Sequence, residues 1–442
     1  MSCKFRNSLA RQPFLLVLSL VALFAASNAS AATWCVNHAG TAGCKSSISA
    51  AVSAATAGDI INVAQGTYAE QVIITKPLSL IGDPFNPPVI DATGQFNGIF
   101  VNGMATAPLP GIANVTIYGF EIHNARFEGI LIANASNVTI LANHVLNNNK
   151  ALVPSAAECP GIPAFETSEA MDCGEGIHLM ATDHAFVARN LVEDNSGGIL
   201  ITDETGVSNS NLIQGNVVQN NGYACGITMA GHPPATSIIP SATISFGIMH
   251  NVISNNQSHN NGLLLPGAGA GVGIFAPGPG STNTANVISG NELYDNGLPG
   301  VTMHNHGSAP APAPGVNLND NVIIGNHIYG NAADTADATT PGPTGINIYS
   351  TAPVTGLVIS QNTFSDETVD IVFKAPAGTI DAHFNNFTPH STGIDNLGSG
   401  VISATENWWN CAAGPSAKCS IATGTGITTS PWLPVQVDIS LQ

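Results

Sequence analysis

Positive charge is what this sequence most conspicuously lacks. Lysine and arginine number ten in 442 residues, against 28 aspartates and glutamates. So acidic a chain is a poor partner for nucleic acid or an anionic membrane. It also disfavours anionic polysaccharides unless a cation bridges them. Charged residues of either sign make up only 9% of the chain, so Asn, Ser, Thr and Gly must supply most of the surface. That composition does not suit a helical protein laced with ion pairs, and it suits a β-rich one. Beyond Ala26 no apolar run approaches the roughly 18 residues of a membrane span. No H-E-x-x-H zinc pattern occurs either.

The first residues read differently from the rest. Lys4, Arg6 and Arg11 precede an apolar stretch from Phe14 to Ala26, and Ala29-Ser30-Ala31 has the form of a cleavage site. Residues 1–31 are therefore expected to be a secretory signal peptide, and the mature protein secreted, extracellular or periplasmic. Removing them takes three cations and no acids, leaving a charge of about −21. In an oxidising compartment the remaining cysteines are disulfide candidates. Cys35 with Cys44, and Cys411 with Cys419, read as local pairs. Cys159 and Cys173 bracket an insertion; Cys173 could pair with Cys159 or with Cys225, and sequence does not choose.

A repeat runs through the mature chain. ILANHVLNNN, VARNLVEDNSGGI, IQGNVVQNNG, ISNNQSHNNG, ISGNELYDNG, IIGNHIYGN and ISQNTFSDE share an apolar residue, two spacers and an Asn. The aligned residues are Asn143, Asn190, Asn216, Asn256, Asn291, Asn326 and Asn362. Most copies are followed by a hexad such as EGIHLM, GGILIT, CGITMA or PGVTMH, in which apolar residues alternate with the period of a strand. Extra length falls in stretches rich in Gly, Pro and Ala, which read as loops. Such a unit, unable to bury its apolar face alone, must stack on its neighbours. The fold predicted is all-β: a single-stranded right-handed parallel β-helix, a solenoid, with Ile, Val and Leu inside. Turn asparagines would adopt left-handed conformations and hydrogen-bond up the stack. Domain limits follow: an N-terminal cap with a short helix over 32–58, the β-helix over 59–405 and a C-terminal cap over 406–442.

Three passages carry a family resemblance. GDIINVAQGTYAEQVIITKPLSLIGD resembles the opening rung of the pectate-lyase-like superfamily. NVTIYGFEI and the Asn repeats resemble NosD-type and "right handed beta helix" region proteins. ENWWNCAAGPSAKC resembles the ending of many secreted bacterial β-helices. The resemblance covers nearly the whole mature chain. It implies the fold strongly and the function weakly, because lyases, hydrolases, esterases, epimerases, tail spikes and adhesins share it. The Asp-Pro-His-Glu motif of alginate-type epimerases is absent. Beyond the first rungs only Arg189, Lys374 and Lys418 could serve as a lyase base.

In the hexads the residue after Ile faces outward, the next inward, the next outward. On that register the outward row carries His178, Asp183, Glu204, His232 and His304, with Asn305 and His306 beyond the strand. Asp203 and Glu175 lie close by. This is the one region where acids and imidazoles concentrate in sequence, and long Gly/Pro loops emerge from the same rungs. Paired carboxylates suit glycoside hydrolysis, which makes Asp203, Glu204 and Glu175 catalytic candidates, with His232 as proton carrier. His178, Asp183, His304, Asn305 and His306 are binding candidates. A divalent metal on His304, His306 and His232 is the cofactor this pattern suggests. The function expected is glycan binding along a loop-walled groove, with a hydrolase-type activity as its extension. The alternatives are a non-catalytic scaffold and a NosD-like metal-handling protein. A polysaccharide is the expected partner.

Overall fold

The computed structural model describes residues 31–105, 111–149, 174–232, 245–276, 278, 280–305, 315–335, 340 and 342–438. The signal-peptide segment, Cys159, Cys173 and His306 lie outside the described residues. Among the described residues, short parallel strands stack into three sheets of 14, 10 and 16 strands. Strands pair with their equivalents one rung on, in constant register except for shifts at Thr355/Leu357 and Thr392/Ile394. In the first sheet Ile117, Ile140, Val187, Ile213, Ile253, Ile288, Ile323 and Ile359 form one inward column, every member fully buried. This is the right-handed parallel β-helix that the repeat predicts.

Corners between the sheets are built by one device used three times. From Asn143 through Asn190, Asn216, Asn256, Asn291, Asn326, Asn362 and Asn385 to Asn407, each side-chain amide donates to the next side-chain oxygen at 2.9–3.1 Å. A second ladder joins Asn148, Asn195, Asn221, Asn261, Asn296 and Asn331, and ends on Glu367. A third joins Asn211, Asn251, Asn286 and Asn321. One expectation needs correcting. The left-handed residue is not the ladder Asn but the one before it: Ala142, Arg189, Gly215, Asn255, Gly290, Gly325, Gln361, Phe384 and Glu406, at φ of 53° to 69°. That residue turns the chain, and the Asn after it is left free to satisfy the buried backbone on both sides.

A helix at Ile48–Ala54 closes the first rung with Ile48, Ala51 and Val52. Its ends are held from below. The Ser47 hydroxyl accepts from Ala50 N, and the Glu70 carboxylate accepts from Ile48 N and Ser49 N at 2.8 and 2.9 Å. Lys76 donates to the carbonyls of Val52 and Ala55. Acid at the N-terminus and ammonium at the C-terminus match the helix dipole. At the other end Trp409 is fully buried against Phe387, 4.6 Å between ring centres. Cys35–Cys44 and Cys411–Cys419 are disulfides, one near each end. No helix among the described residues is long and apolar enough to cross a membrane.

Candidate functional site

The hexads form the core strands of the third sheet, and their register is as the alternation requires. Ile177 and Leu179 join the main core, whereas Met180 belongs to a separate outer cluster with Phe100, Leu131 and Ala133. His178 pairs in register with Leu131 and Leu200, and Met180 with Ala133 and Thr202. The sequence therefore places these side chains on the correct side of the sheet. It does not anticipate that this outer face is itself buried.

Three groups of the predicted residues sit along that face. In the first, His178 bridges Glu128 Oε1 at 3.1 Å through Nδ1 and Thr202 Oγ1 at 2.8 Å through Nε2. Glu175 N donates to Glu128 Oε2 at 2.8 Å. Glu128, Glu175 and His178 offer ligand atoms within 4.8 Å of one another, and all three are buried. Glu128 escaped the sequence reading, although it is the Glu of EGILIA as Glu175 is the Glu of EGIHLM, one rung apart.

The second group is Asp203, Glu204 and His232. Asp203 is fully buried. Its Oδ1 accepts from His232 N at 2.7 Å, and its Oδ2 accepts from the Ser245 hydroxyl and Gly247 N. Burial pushes its carboxyl up to about 6 despite these three donors. Both oxygens are engaged in tying together chain positions more than ten residues apart, so Asp203 faces no open groove. Glu204 Oε1 lies 3.6 Å from His232 Nδ1, as their shared column requires, but both are 1–2% exposed.

The third group surrounds His304. Its Nε2 lies 3.3 Å from Asp334 Oδ2 and 3.3 Å from Asn347 Nδ2, and Asn347 donates to Asp334 Oδ2 at 2.8 Å. Phe275 and Tyr349, its neighbours in register, meet its ring edge-on. Asn305 is a buried turn tie: it donates to Ser350 Oγ and accepts from Thr351 N and Oγ1. Asp183 stays at the surface, paired with His184 and Asn209. His232 and His304 do not converge. His304 aligns with Ala230, two residues before His232, and two rungs further along, roughly 10 Å by rung rise. The metal set read from sequence is thus not assembled among the described residues.

Where the face opens, it forms a shallow, largely open cleft of about 510 Å³ lined by Tyr349, Ser350, Thr351, Lys374, Leu397 and Ser399, among others. Tyr349 and Lys374 continue the His304 column, and the Lys374 ammonium lies 5.3 Å from the centre of the Tyr349 ring.

A second concentration of acids and imidazoles corrects the expectation that the third sheet holds the only one. On the outer face of the ten-stranded sheet, His123 lies between Asp91 and Glu121, and His144 between Glu121 and Glu193. Further along, His259, Tyr294 and Tyr329 stack with ring centres 4.4 and 4.8 Å apart. From Asn143 onward these residues occupy the first and third positions after each ladder Asn, so the aligned repeat already contained that column.

Comparison with known proteins agrees with the architecture. Residues 93–243 match the family model for the right handed beta helix region. No curated protein matches the sequence. Among solved structures, the Dettilon tailspike protein aligns with TM-score 0.53 and 15% identity over 84% of this chain and 62% of its own, so the chain spans less than two thirds of the tailspike. DFA-IIIase from Arthrobacter chlorophenolicus A6, without its lid and in complex with GF2, aligns with TM-score 0.56 and 13% identity over 91% of this chain and 100% of its own. A mutant of that enzyme in complex with DFA-III gives 0.54 and 11%, over 87% and 94%.

Proposed function

We propose that this right-handed β-helix, of the pectate-lyase-like kind, is an extracytoplasmic carbohydrate-binding protein that holds a neutral oligosaccharide in the cleft at Tyr349 and Lys374. The cleft itself carries the reading. A sugar ring offers an apolar C–H face and a rim of hydroxyls. The cleft offers an aromatic ring, the Ser350, Thr351 and Ser399 hydroxyls and one ammonium. Its volume falls in the usual range for small-molecule sites, about 300–1,000 Å³. The DFA-IIIase structures of the same fold, in complex with GF2 and with DFA-III, support the choice of ligand class, and the two disulfides support an oxidising compartment.

Binding is favoured over hydrolysis by the placement of the acids. A glycoside hydrolase needs two carboxylates flanking the bond. The cleft lining contains none, and Asp203 is committed to backbone and hydroxyl donors. The test is a glycan array followed by calorimetric titration of the best neutral oligosaccharide. Tyr349→Ala is expected to weaken binding about tenfold, the worth of one aromatic contact. Lys374→Ala should weaken it less. Unchanged affinity in both, or release of shortened sugars by the wild type, contradicts the proposal.

A further inference from the structure

Two side chains of the third sheet and one from a loop packed on it bring three polar atoms into a close triangle. Its corners are His304 Nε2, Asp334 Oδ2 and Asn347 Nδ2, with sides of 3.3, 3.3 and 2.8 Å. The three side chains are 0–2% exposed. The Asn347 amide donates to Asp334, which is sound. The imidazole corner is not. If Nε2 carries a proton, it donates to Asp334 but meets the Asn347 NH₂ donor to donor. If Nε2 is bare, it accepts from Asn347 but faces the Asp334 carboxylate acceptor to acceptor. With Asp334 ionised, either state leaves one side of the triangle repulsive, in a setting where such a mismatch costs most.

Two further atoms are out of place. Asn347 Oδ1 and Thr302 Oγ1 are buried and have no hydrogen-bond partner among the described residues. Thr302 and Asn347 are direct partners on neighbouring strands. Amide oxygen and nitrogen exchange places by a half-turn of the side chain, at little steric cost. That turn brings Oδ1 to the triangle and points the NH₂ where Oδ1 was. The triangle then presents an imidazole nitrogen, a carboxylate oxygen and an amide oxygen, three acceptors around one point.

We propose that these three atoms hold a divalent transition-metal ion, with His304 and Asp334 as the stronger ligands and the Asn347 carbonyl as the third. Ligands at about 2.1 Å from one ion, subtending about 90–110°, stand about 3.0–3.4 Å apart. The sides of the triangle need only small adjustment to reach that. The imidazole favours Zn²⁺ over Ca²⁺ or Mg²⁺, and the two oxygens admit Mn²⁺ as a weaker alternative. Asp334 is set for the role by its own backbone, whose N–H donates to Thr340 Oγ1 and whose C=O accepts from Thr340 N, at 2.8 and 2.7 Å. The edge-on rings of Phe275 and Tyr349 fix the imidazole plane from both sides. The site stands whether or not the neighbouring cleft binds carbohydrate.

The experiment uses untagged full-length chain stripped with chelator and titrated separately with Zn²⁺, Mn²⁺ and Ca²⁺, reading stoichiometry and Tm. Wild type is expected to take one equivalent of Zn²⁺ or Mn²⁺ with a rise in Tm, and Ca²⁺ much more weakly. Asp334→Ala should abolish the binding. Asn347→Asp discriminates even if that alanine variant does not fold. Under the metal account it loses stability when stripped, carboxylate facing carboxylate, and regains it when metal is added, with affinity at or above wild type. No stoichiometric binding to wild type, binding that survives Asp334→Ala, or an Asn347→Asp protein that metal does not rescue overturns the proposal.

Discussion

Asn256→Ala is expected to lower stability by about 3–6 kcal/mol, well beyond an ordinary substitution. Asn256 stands mid-way along the longest ladder. Its Oδ1 accepts from both Asn216 N and Asn216 Nδ2 at 2.9 Å, and its Nδ2 donates to Asn291 Oδ1 at 3.0 Å and Ile213 O at 2.9 Å. All of these side chains are buried, so truncation strands two donors on one side and removes a donor from two acceptors on the other. Each stranded buried group costs about 1–3 kcal/mol. Water cannot enter readily, because the rungs above and below stay in contact. Gln257, the next residue, is exposed; Gln257→Ala should change stability by no more than about 0.5 kcal/mol. Chemical denaturation of the pair checks the contrast. Equal effects in both would mean that the strands, not the ladder, hold the corner.

The second large effect is on pH dependence. Glu367 ends the second ladder, accepting from Asn331 N and Nδ2 where another rung would supply Asn. Burial pushes its carboxyl up to about 8, and pushes Asp370 up to about 7 and Asp203 to about 6. An acid whose folded-state pKa is raised holds its proton in the folded chain and loses it in the unfolded one. Stability therefore falls as pH rises from about 4.5 through about 8 for Glu367, and over lower windows for the two aspartates. Asp59 works in the opposite direction but only in acid. It is held at about 2, chiefly by the Thr56 amide and then the Trp34 indole. For Glu367 alone the loss is on the order of 5 kcal/mol at 1.36 kcal/mol per unit. Glu367→Gln keeps the accepting oxygen and cannot ionise. It should raise Tm clearly at pH 9 and leave it nearly unchanged at pH 5, by scanning calorimetry. A variant that loses stability equally at both values would show that the carboxylate is accommodated as a charge.

The fold was readable because stacked rungs repeat a local rule. Each corner needs a left-handed residue and then a side chain that can both donate and accept, and Asn at fixed offsets records this in the sequence. The inward side was equally plain, since alternation in EGIHLM and its relatives assigns Ile177 and Leu179 to the core and His178 and Met180 to the other side. Alternation says which side of a strand a residue takes, not what covers that side. Hence Asp203, Glu204, His232 and Asn305, read as lining an open groove, are buried instead. Asp334 could not be found by pattern: it comes from a loop outside the repeat and meets His304 only in three dimensions. Glu128 was within reach, one rung below Glu175 in the same motif. So was much of the polar and aromatic face of the ten-stranded sheet, which the Asn alignment had already put in columns.

The claim that the outer face of the third sheet ends in a carbohydrate site is tested most directly by hydrogen–deuterium exchange with and without the neutral oligosaccharide that binds best. Slowed exchange should appear around Tyr349–Thr351, Lys374 and Leu397–Ser399. Protection confined to the His259, Tyr294 and Tyr329 rungs would place the sugar on the wrong sheet. No protection by any glycan at saturating concentration would contradict carbohydrate binding itself.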